Sequence, residues 1–180
     1  MHGLIFASLR DYSERRLGDE EAAHLWAESP YEAAGAYEDE EFRERLDAVG
    51  QALRLTQDEL LRDFGVFAAG TTFAGLFPDY FAESADTLTF LLGVEDKIHD
   101  LVRATIKGAY PPSLHVRPLG EDGMLVSYTS ERRLCCLLEG LVRGTAAHYG
   151  EDVTLEELQC MRLGDPGCVW SVVRTESTPR

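Results

Sequence analysis

The sequence predicts an α+β domain in which a helical N-terminal part packs on a C-terminal antiparallel sheet that carries one further helix. Hydrophobic residues recur at helical spacing up to about residue 108. Pro111 and Pro112 then exclude any continuation of the last of these helices. Beyond them, hydrophobic and polar residues alternate with a period of two, which is typical of strands. With 180 residues, 44% of them hydrophobic, the chain is long enough to bury one shared core.

Four helices are predicted before the paired prolines. Their periodic segments cover residues 4–18, 38–55, 56–77 and 84–108. The first is short and amphipathic, and the second is a charged surface helix. The third begins with Thr56 followed by Glu59, the pattern of a capping box, and Pro78 ends it. The fourth is the longest, with Ser84 or Asp86 available as its N-cap.

Four strands are predicted after the prolines. The alternating segments cover residues 114–120, 121–130, 153–164 and 167–175. The tetrapeptide "GEDG", residues 120–123, predicts a tight turn between the first two strands. One helix, residues 133–150, interrupts the strands and gives the sheet part its single helix.

Charge and composition exclude several classes of partner. The chain has 17 Lys and Arg against 32 Asp and Glu, a formal net charge of -15, which argues against binding to nucleic acid or to an anionic membrane. No stretch approaches about 18 uninterrupted apolar residues, and the N-terminus lacks the apolar run of a signal peptide. We therefore expect a cytoplasmic protein whose four cysteines are thiols or metal ligands before they are disulfides. The acidic run 38–41 is expected to be a solvated face.

The pentapeptide "YTSER" predicts an anion-binding clamp. Tyr128, Ser130 and Arg132 stand at every second position, so in an extended chain their side chains point to the same side. The guanidinium fork of Arg132 suits a carboxylate or a phosphate, and the lack of a glycine-rich phosphate loop favours a carboxylate. An ordinary strand with polar residues facing solvent is the alternative interpretation.

The fourth helix carries a histidine, His99, at the edge of its hydrophobic stripe. The residues predicted to form this buried stripe are Leu91, Val94, Ile98, Leu101 and Val102. A histidine tolerated at the boundary of a helix is one interpretation. The other is a single imidazole ligand for a metal or for haem iron.

The histidine and the clamp together resemble a known pattern. The segment "FPDYF" at 77–81, the segment "VEDKIHDLVRATIKGAYPPSL" around His99, and the Y-x-S-x-R pattern at Tyr128, Ser130 and Arg132 stand in the order of one family. This is the haem nitric oxide/oxygen binding (H-NOX) family, the bacterial relatives of the haem domain of soluble guanylate cyclase. "HGLI" at the start and "LLEGLVRGTAAHYGE" after the clamp are similar to the family as well, so the resemblance covers essentially the whole chain.

The resemblance implies a haem b cofactor and assigns a role to each residue around it. His99 corresponds to the proximal iron ligand, which suits ferrous iron because a neutral imidazole is its donor. Tyr128, Ser130 and Arg132 correspond to the residues that hold the haem propionates, which are carboxylates. Pro112 corresponds to the family position that packs on the porphyrin.

The expected choice of gas follows from the distal side of the haem. Oxygen-binding members of the family carry a tyrosine donor on the helix after the clamp, and the matching position here is Leu137. Neighbouring candidates from the N-terminal part, Ile5 and the segment around Ala69, are apolar as well. Without a hydrogen-bond donor for dioxygen, the chain resembles the branch that binds nitric oxide and carbon monoxide.

The resemblance also implies how the domain is organised and how it signals. Residues 1–180 form one H-NOX-like haem domain, with 1–83 as the distal helical part and 84–180 as the proximal helix plus the sheet, and the haem lies between them. Nitric oxide weakens or breaks the iron bond to His99, and the change is passed to a separate histidine kinase or cyclic-dinucleotide enzyme. No nucleophile and base arrangement stands out, so no enzyme activity is expected.

The cysteines near the C-terminus allow three interpretations. Cys160 and Cys168 flank a turn built on "GDPG", so two adjacent strands bring their thiols together. Some bacterial members of the family carry a cysteine zinc site in this region, which implies Cys135 as a third ligand, although Glu157 stands where a fourth cysteine is expected. A redox-responsive pair of Cys160 and Cys168, or simple buried packing, are the alternatives.

Two further functions compete with the haem sensor. The ending "GDPGC" is similar to that of small-molecule-sensing domains related to vinyl reductase accessory proteins, which favours a ligand-binding regulatory module without haem. A thiol or zinc redox switch is the other candidate. His99 separates these hypotheses, because only the haem sensor requires its imidazole.

Overall fold

The computed structural model describes residues 1–27, 31–33 and 35–175, and these contain nine α-helices and four β-strands. The helices are α1 (Gly3–Leu17), α2 (Asp19–Trp26), α3 (Asp39–Leu53), α4 (Gln57–Phe67), α5 (Ala74–Leu76), α6 (Pro78–Glu83), α7 (Thr87–Gly93), α8 (Asp100–Thr105) and α9 (Cys135–Tyr149). The strands are β1 (Ser113–Pro118), β2 (Gly123–Thr129), β3 (Asp152–Gln159) and β4 (Cys168–Thr175). The predicted α+β class is confirmed.

The helical part follows its local signals closely. The capping box is present, because the Thr56 hydroxyl accepts from the Glu59 N–H and the Glu59 carboxylate accepts from the Thr56 N–H. Helix α4 continues through a π-helical turn, Ala68–Phe73, into α5, and Pro78 then opens α6. Helix α2 has no counterpart in the sequence prediction, because eight residues give too few turns for a clear hydrophobic period.

The histidine helix (α7, the π-helical turn Val94–His99 and α8; residues 87–105) ends the helical half. Of the two N-cap candidates, Asp86 is the one used, because its carboxylate accepts from the Thr89 N–H at 2.7 Å. The prediction that Leu101 belongs to the buried stripe is wrong, since that side chain is 54% exposed. The widened π turn holds more residues than an α turn, so the face that follows it is out of phase with the 3.6-residue period.

The sheet part is a four-stranded antiparallel sheet in the order β1-β2-β4-β3. Tyr128 on β2 lies opposite Leu114 on β1 and Cys168 on β4. Strand β2, which carries the first residue of the clamp, therefore lies between β1 and β4 in the sheet. Strand β3 ends at Gln159, before the predicted end at residue 164, because the Cys160 N–H donates to the Asp165 carboxylate at 2.8 Å and Met161–Leu163 forms a 3-10 turn. None of the helices in the described parts of the chain is both long and apolar enough to cross a membrane.

Helix α9 joins the two parts by packing closely on α4. Glycines at the crossing allow the backbones to touch: a Cβ at Gly65 would lie 2.7 Å from the Leu137 carbonyl oxygen. A Cβ at Gly140 would lie 2.2 Å from the Arg62 carbonyl oxygen and 2.9 Å from the Gly65 Cα. The crossing therefore has no room for a side chain and fixes the position of α9 over the helical part.

Replacing Gly140 with alanine should destabilise the fold. The added methyl group collides with backbone atoms of α4, which cannot rotate away, so we expect a loss of roughly 1–3 kcal/mol in the free energy of unfolding. Urea denaturation followed by circular dichroism measures it. Gly75→Ala is the matched control, because no atom lies within 4 Å of the added carbon there. Equal denaturation midpoints for Gly140→Ala and the wild type would contradict the close packing of α9 on α4 at Gly140.

Candidate functional site

One cavity of about 230 Å³ lies between the helical part and the sheet part. A single water molecule needs only roughly 10–15 Å³ of such space, so the cavity suits a much larger group. Its walls are mostly aliphatic and aromatic side chains, contributed by α1, the α4 extension, the histidine helix, the segment before β1, and α9. Aromatic side chains that the sequence analysis did not single out as site residues also line it: Phe73, Phe77, Phe81, Phe90 and Tyr110.

The structure brings every residue of the predicted haem site to this cavity. The lining includes Ile5, His99, Pro112, Tyr128, Ser130, Arg132 and Leu137. These residues come from five separate stretches of the chain, so only the tertiary fold places them together. Four of the five residues of the predicted stripe line the cavity too, which leaves Leu101 as the exception.

His99 is the last residue of the π-helical turn, and its side chain is only 15% exposed. Its Nδ1 lies 2.9 Å from Glu95 Oε2, so the ring donates the Nδ1 proton to the carboxylate. Burial lowers the pKa of His99 below its usual value, and Glu95 offsets this only in part. The ring is therefore neutral near pH 7, and Nε2 is the nitrogen left to bind a metal at the cavity.

Glu95 is a site residue that the sequence analysis missed. Its carboxylate also accepts from the Arg103 guanidinium at 2.7 Å and from the Leu114 N–H at 2.9 Å. Although burial raises the pKa of Glu95, the hydrogen bonds from His99, Arg103 and Leu114 outweigh it and hold the pKa below its usual value. A glutamate four residues before a candidate histidine on one helix was the available signal.

The predicted clamp is built from the end of a strand and the turn after it. Strand β2 ends at Thr129, so Ser130 and Arg132 reach the cavity from a turn instead of a longer extended chain. Burial raises the pKa of Tyr128 to about 12, so its phenol stays protonated and able to donate. Ser130 Oγ accepts from the Arg132 N–H at 3.3 Å, which holds the turn together.

Arg132 is held in place by the helical part. Its Nε donates to Asp39 Oδ1 at 2.7 Å, and its Nη1 donates to the Tyr110 carbonyl oxygen. The amino group of Met1 donates to the same Asp39 oxygen at 2.8 Å. Asp39 belongs to the acidic run predicted to be a solvated face; its side chain is 34% exposed, but its carboxylate also forms salt bridges with Arg132 and the Met1 amino group.

The wall formed by α1, the π-helical turn of residues 68–73, and α9 is apolar. Ile5, Ala69 and Leu137 line the cavity there, as do neighbouring aliphatic side chains of α9. Thr145 also lines it, but its hydroxyl donates to the Leu141 carbonyl oxygen at 2.9 Å. This wall therefore offers no tyrosine donor among the lining residues at the position where the resemblance places one.

A second cluster lies where α9, β3 and β4 meet. One ligand atom from each of Cys135, Glu157, Cys160 and Cys168 falls within 4.8 Å of all the others. The Sγ atoms of Cys135 and Cys160 are 3.9 Å apart, and all four cysteines of the chain are unbridged. Hydrogen bonding from Cys136 lowers the pKa of Cys135 to about 5, whereas burial raises the pKa of Cys168 to about 12. The cluster thus favours one thiolate, the form that binds metals.

The fold is that of H-NOX proteins in solved structures. It matches an H-NOX protein from Shewanella oneidensis in the Fe(II)NO ligation state with a TM-score of 0.89 and 24% identity, covering 98% of this chain and 100% of that one. It matches the Fe(II)CO state of the H-NOX domain from the same organism with a TM-score of 0.88 and 25% identity, over 98% and 100% of the two chains. An oxygen-binding H-NOX domain related to soluble guanylate cyclases matches with a TM-score of 0.84 and 22% identity over 100% of both chains.

The amino-acid sequence, independently of the fold, also matches a protein-family model. The family model described as haem-NO-binding matches residues 2–157, so the chain belongs to the haem-NO-binding (H-NOX) family, whose members are haem-based sensors of diatomic gases. The resemblance drawn from His99 and the clamp is thereby confirmed. A comparison with functionally curated proteins gives no match.

Proposed function

We propose that the protein is a sensor of nitric oxide that also binds carbon monoxide, with haem b held between residues 1–83 and residues 84–180. One observation carries the proposal: a single apolar cavity is lined both by the little-exposed His99 and by the donors of the Tyr128, Ser130 and Arg132 clamp. Family membership supports a haem sensor, and the lining residues support the choice of gas.

The residues at the cavity fit a haem group in their chemistry. Aliphatic and aromatic walls suit the porphyrin ring, and Pro112 is among the residues that would pack on it. A neutral imidazole with Nε2 free suits ferrous iron. The protonated Tyr128 phenol, Ser130 and the Arg132 guanidinium suit the propionates, because charge-assisted donors offset the cost of placing carboxylates beside an apolar cavity.

Selectivity for nitric oxide over dioxygen follows from the apolar wall. Bound dioxygen is polar and depends on a hydrogen-bond donor, whereas nitric oxide and carbon monoxide do not. Ile5, Ala69 and Leu137 supply no donor, and the Thr145 hydroxyl is already bonded to its own helix. Dioxygen bound beside these side chains would receive no hydrogen bond from them. This lowers the affinity for dioxygen and leaves the affinity for nitric oxide unchanged.

Signalling would depend on how the histidine helix is held. His99 would hold the iron of a bound ferrous haem, and that iron would supply the binding position for the gas. Nitric oxide bound there would weaken the link to His99. The helix is tied to the sheet part by the bond from the Leu114 N–H to Glu95 and by the bond from Arg103 to the Pro112 carbonyl oxygen at 3.0 Å. Release of His99 would remove one attachment of the helix while these ties remain, so the helix would shift and a separate histidine kinase or cyclic-dinucleotide enzyme would sense the new surface.

An absorption spectrum of the haem-reconstituted, reduced protein tests the proposal. We expect a Soret band of a histidine-ligated ferrous haem that is unchanged by dioxygen and shifts to a five-coordinate form with nitric oxide. Failure to take up about one haem per chain would remove the sensor function and favour an organic ligand in the cavity. A stable dioxygen complex would leave the haem assignment intact and overturn the selectivity.

We also propose that Cys135, Cys160, Cys168 and Glu157 bind a structural zinc ion. A tetrahedral zinc site with Zn–S bonds of ~2.3 Å has sulfur atoms roughly 3.8 Å apart. The 3.9 Å between Cys135 and Cys160 Sγ and the 4.8 Å limit on the whole cluster support this arrangement. The shift in register after Glu157 supports it too, because an irregularity in a strand turns a side chain out of the regular alternation.

Replacing Cys160 with serine should remove the zinc. We expect about one zinc per chain in the wild type, measured by atomic emission on protein purified without chelator, and a loss of most of it in Cys160→Ser. Cys136→Ser is the matched control, because Cys136 Sγ contacts Arg162 at 3.3 Å, offers no ligand atom to the cluster, and its serine replacement keeps a hydrogen-bond donor beside Cys135. Zinc-free wild type that loses two titratable thiols under mild oxidation would instead support the redox pair of Cys160 and Cys168.

A further inference from the structure

Glu95 makes three contacts that together surround the candidate iron ligand. Its Oε2 lies 2.9 Å from His99 Nδ1 and 2.9 Å from the Leu114 backbone nitrogen. Its Oε1 lies 2.7 Å from the Arg103 guanidinium, which also donates to the Pro112 carbonyl oxygen at 3.0 Å. One carboxylate therefore joins the histidine ring, the first strand and the proline segment into a single network.

We propose that Glu95 is the positioning residue for the iron ligand and sets how readily His99 leaves the iron. This inference rests on the proposed function, since it presumes haem in the cavity. By accepting from Nδ1–H, Glu95 fixes the tautomer and the plane of the ring so that Nε2 serves the iron. A carboxylate on the far nitrogen also makes the imidazole a stronger donor, which strengthens the iron bond and opposes its release.

The arrangement is more specific than a helix salt bridge. Arg103 and the Leu114 N–H alone would be enough to satisfy a surface carboxylate at this point. The Glu95 side chain is 22% exposed and the His99 ring 15%, so the bond between them is shielded from water and stronger for it. Both residues lie in the π-helical turn, whose wider spacing is common at functional positions in helices.

The network also couples the ligand to the rest of the domain. A movement of His99 away from the cavity cannot leave Glu95 unchanged, because the same oxygen that accepts from the ring accepts from β1. Arg103 carries the same coupling to the segment that contains Pro112. Glu95 thus resists release of His99 and passes that release to the sheet when it occurs.

The first test needs no haem and no variant. The nitrogen chemical shifts of the His99 ring in the apoprotein, measured by NMR near pH 7, report which nitrogen carries the proton. We expect the Nδ1–H tautomer. The Nε2–H tautomer would overturn the role of Glu95, because the ring would then donate nothing to the carboxylate.

The second test compares Glu95→Gln with Asp96→Asn in the reduced, haem-loaded protein. Asp96 is an exposed acid on the same turn, so its amide variant makes the same charge change away from the ring. We expect a lower iron–histidine stretching frequency by resonance Raman and release of His99 under nitric oxide faster by roughly 10-fold or more in Glu95→Gln. Asp96→Asn should match the wild type.

The outcomes separate this inference from the function on which it rests. An iron–histidine band in the wild type that is unchanged in Glu95→Gln would overturn the role of Glu95 and leave the sensor intact. A wild type with no such band would overturn the sensor function itself. If Glu95→Gln does not fold, Glu95→Asp replaces it: the shorter carboxylate should give an intermediate frequency, and an unchanged one would count against the proposal.

Discussion

His99→Gly is expected to abolish ligation of haem iron by the protein. His99 is the histidine that combines a low exposure with a place on the cavity wall and an Nε2 left free by the bond from Nδ1 to Glu95. The clamp of Tyr128, Ser130 and Arg132 is untouched in this variant, so haem would still be held by its propionates. Added imidazole should enter the space of the lost ring and restore the histidine-type spectrum.

Absorption spectra of the reduced protein, with and without imidazole, measure this effect. His115→Gly is the matched control, since His115 is exposed on β1 and its ring contacts Ser113 away from the cavity. We expect its spectrum to equal that of the wild type. A His99→Gly variant whose spectrum is unchanged would show that another residue binds the iron, and the cavity-lining His2 would be the next candidate.

Helices whose N-termini are capped by a side chain were the part of the fold that the sequence predicts best. The capping box at Thr56 and the cap at Asp86 locate α4 and the histidine helix to within a few residues, because these side chains bond to the backbone of their own helix. The π-helical turns were not predictable in this way. They depend on how the chain packs against its neighbours, and no local pattern distinguishes an α turn from a π turn.

The residues of the candidate site also differ in whether a local sequence pattern predicts them. His99 and the clamp could be predicted because each is a short pattern in sequence. Asp39 could not, because it contacts Arg132 across a separation of 93 residues and looks like any other acid of a charged helix start. Glu95 lies between these cases: its spacing from His99 is local, but its bond to the Leu114 N–H appears only when β1 packs on the helix.

Leu137→Tyr is expected to convert the protein into a dioxygen binder. Leu137 lines the cavity on α9, where Ile5 and Ala69 carry no donor and the Thr145 hydroxyl is bonded to the Leu141 carbonyl oxygen. A tyrosine hydroxyl there could donate to bound dioxygen, and a hydrogen bond to a charged group contributes about 1.5–3 kcal/mol. That energy corresponds to a lifetime of the dioxygen complex roughly 10-fold to 100-fold longer than in the wild type.

Leu137→Phe separates the hydroxyl from the ring that carries it. Both variants fill the same space, so any change that they share reports crowding of the cavity and not hydrogen bonding. Stopped-flow measurement of dioxygen dissociation should show a long-lived complex in Leu137→Tyr alone. If Leu137→Phe is stabilised equally, the apolar wall does not select the gas by withholding a donor. Selectivity would then have to come from the other side of the cavity, where we propose that Glu95 positions His99.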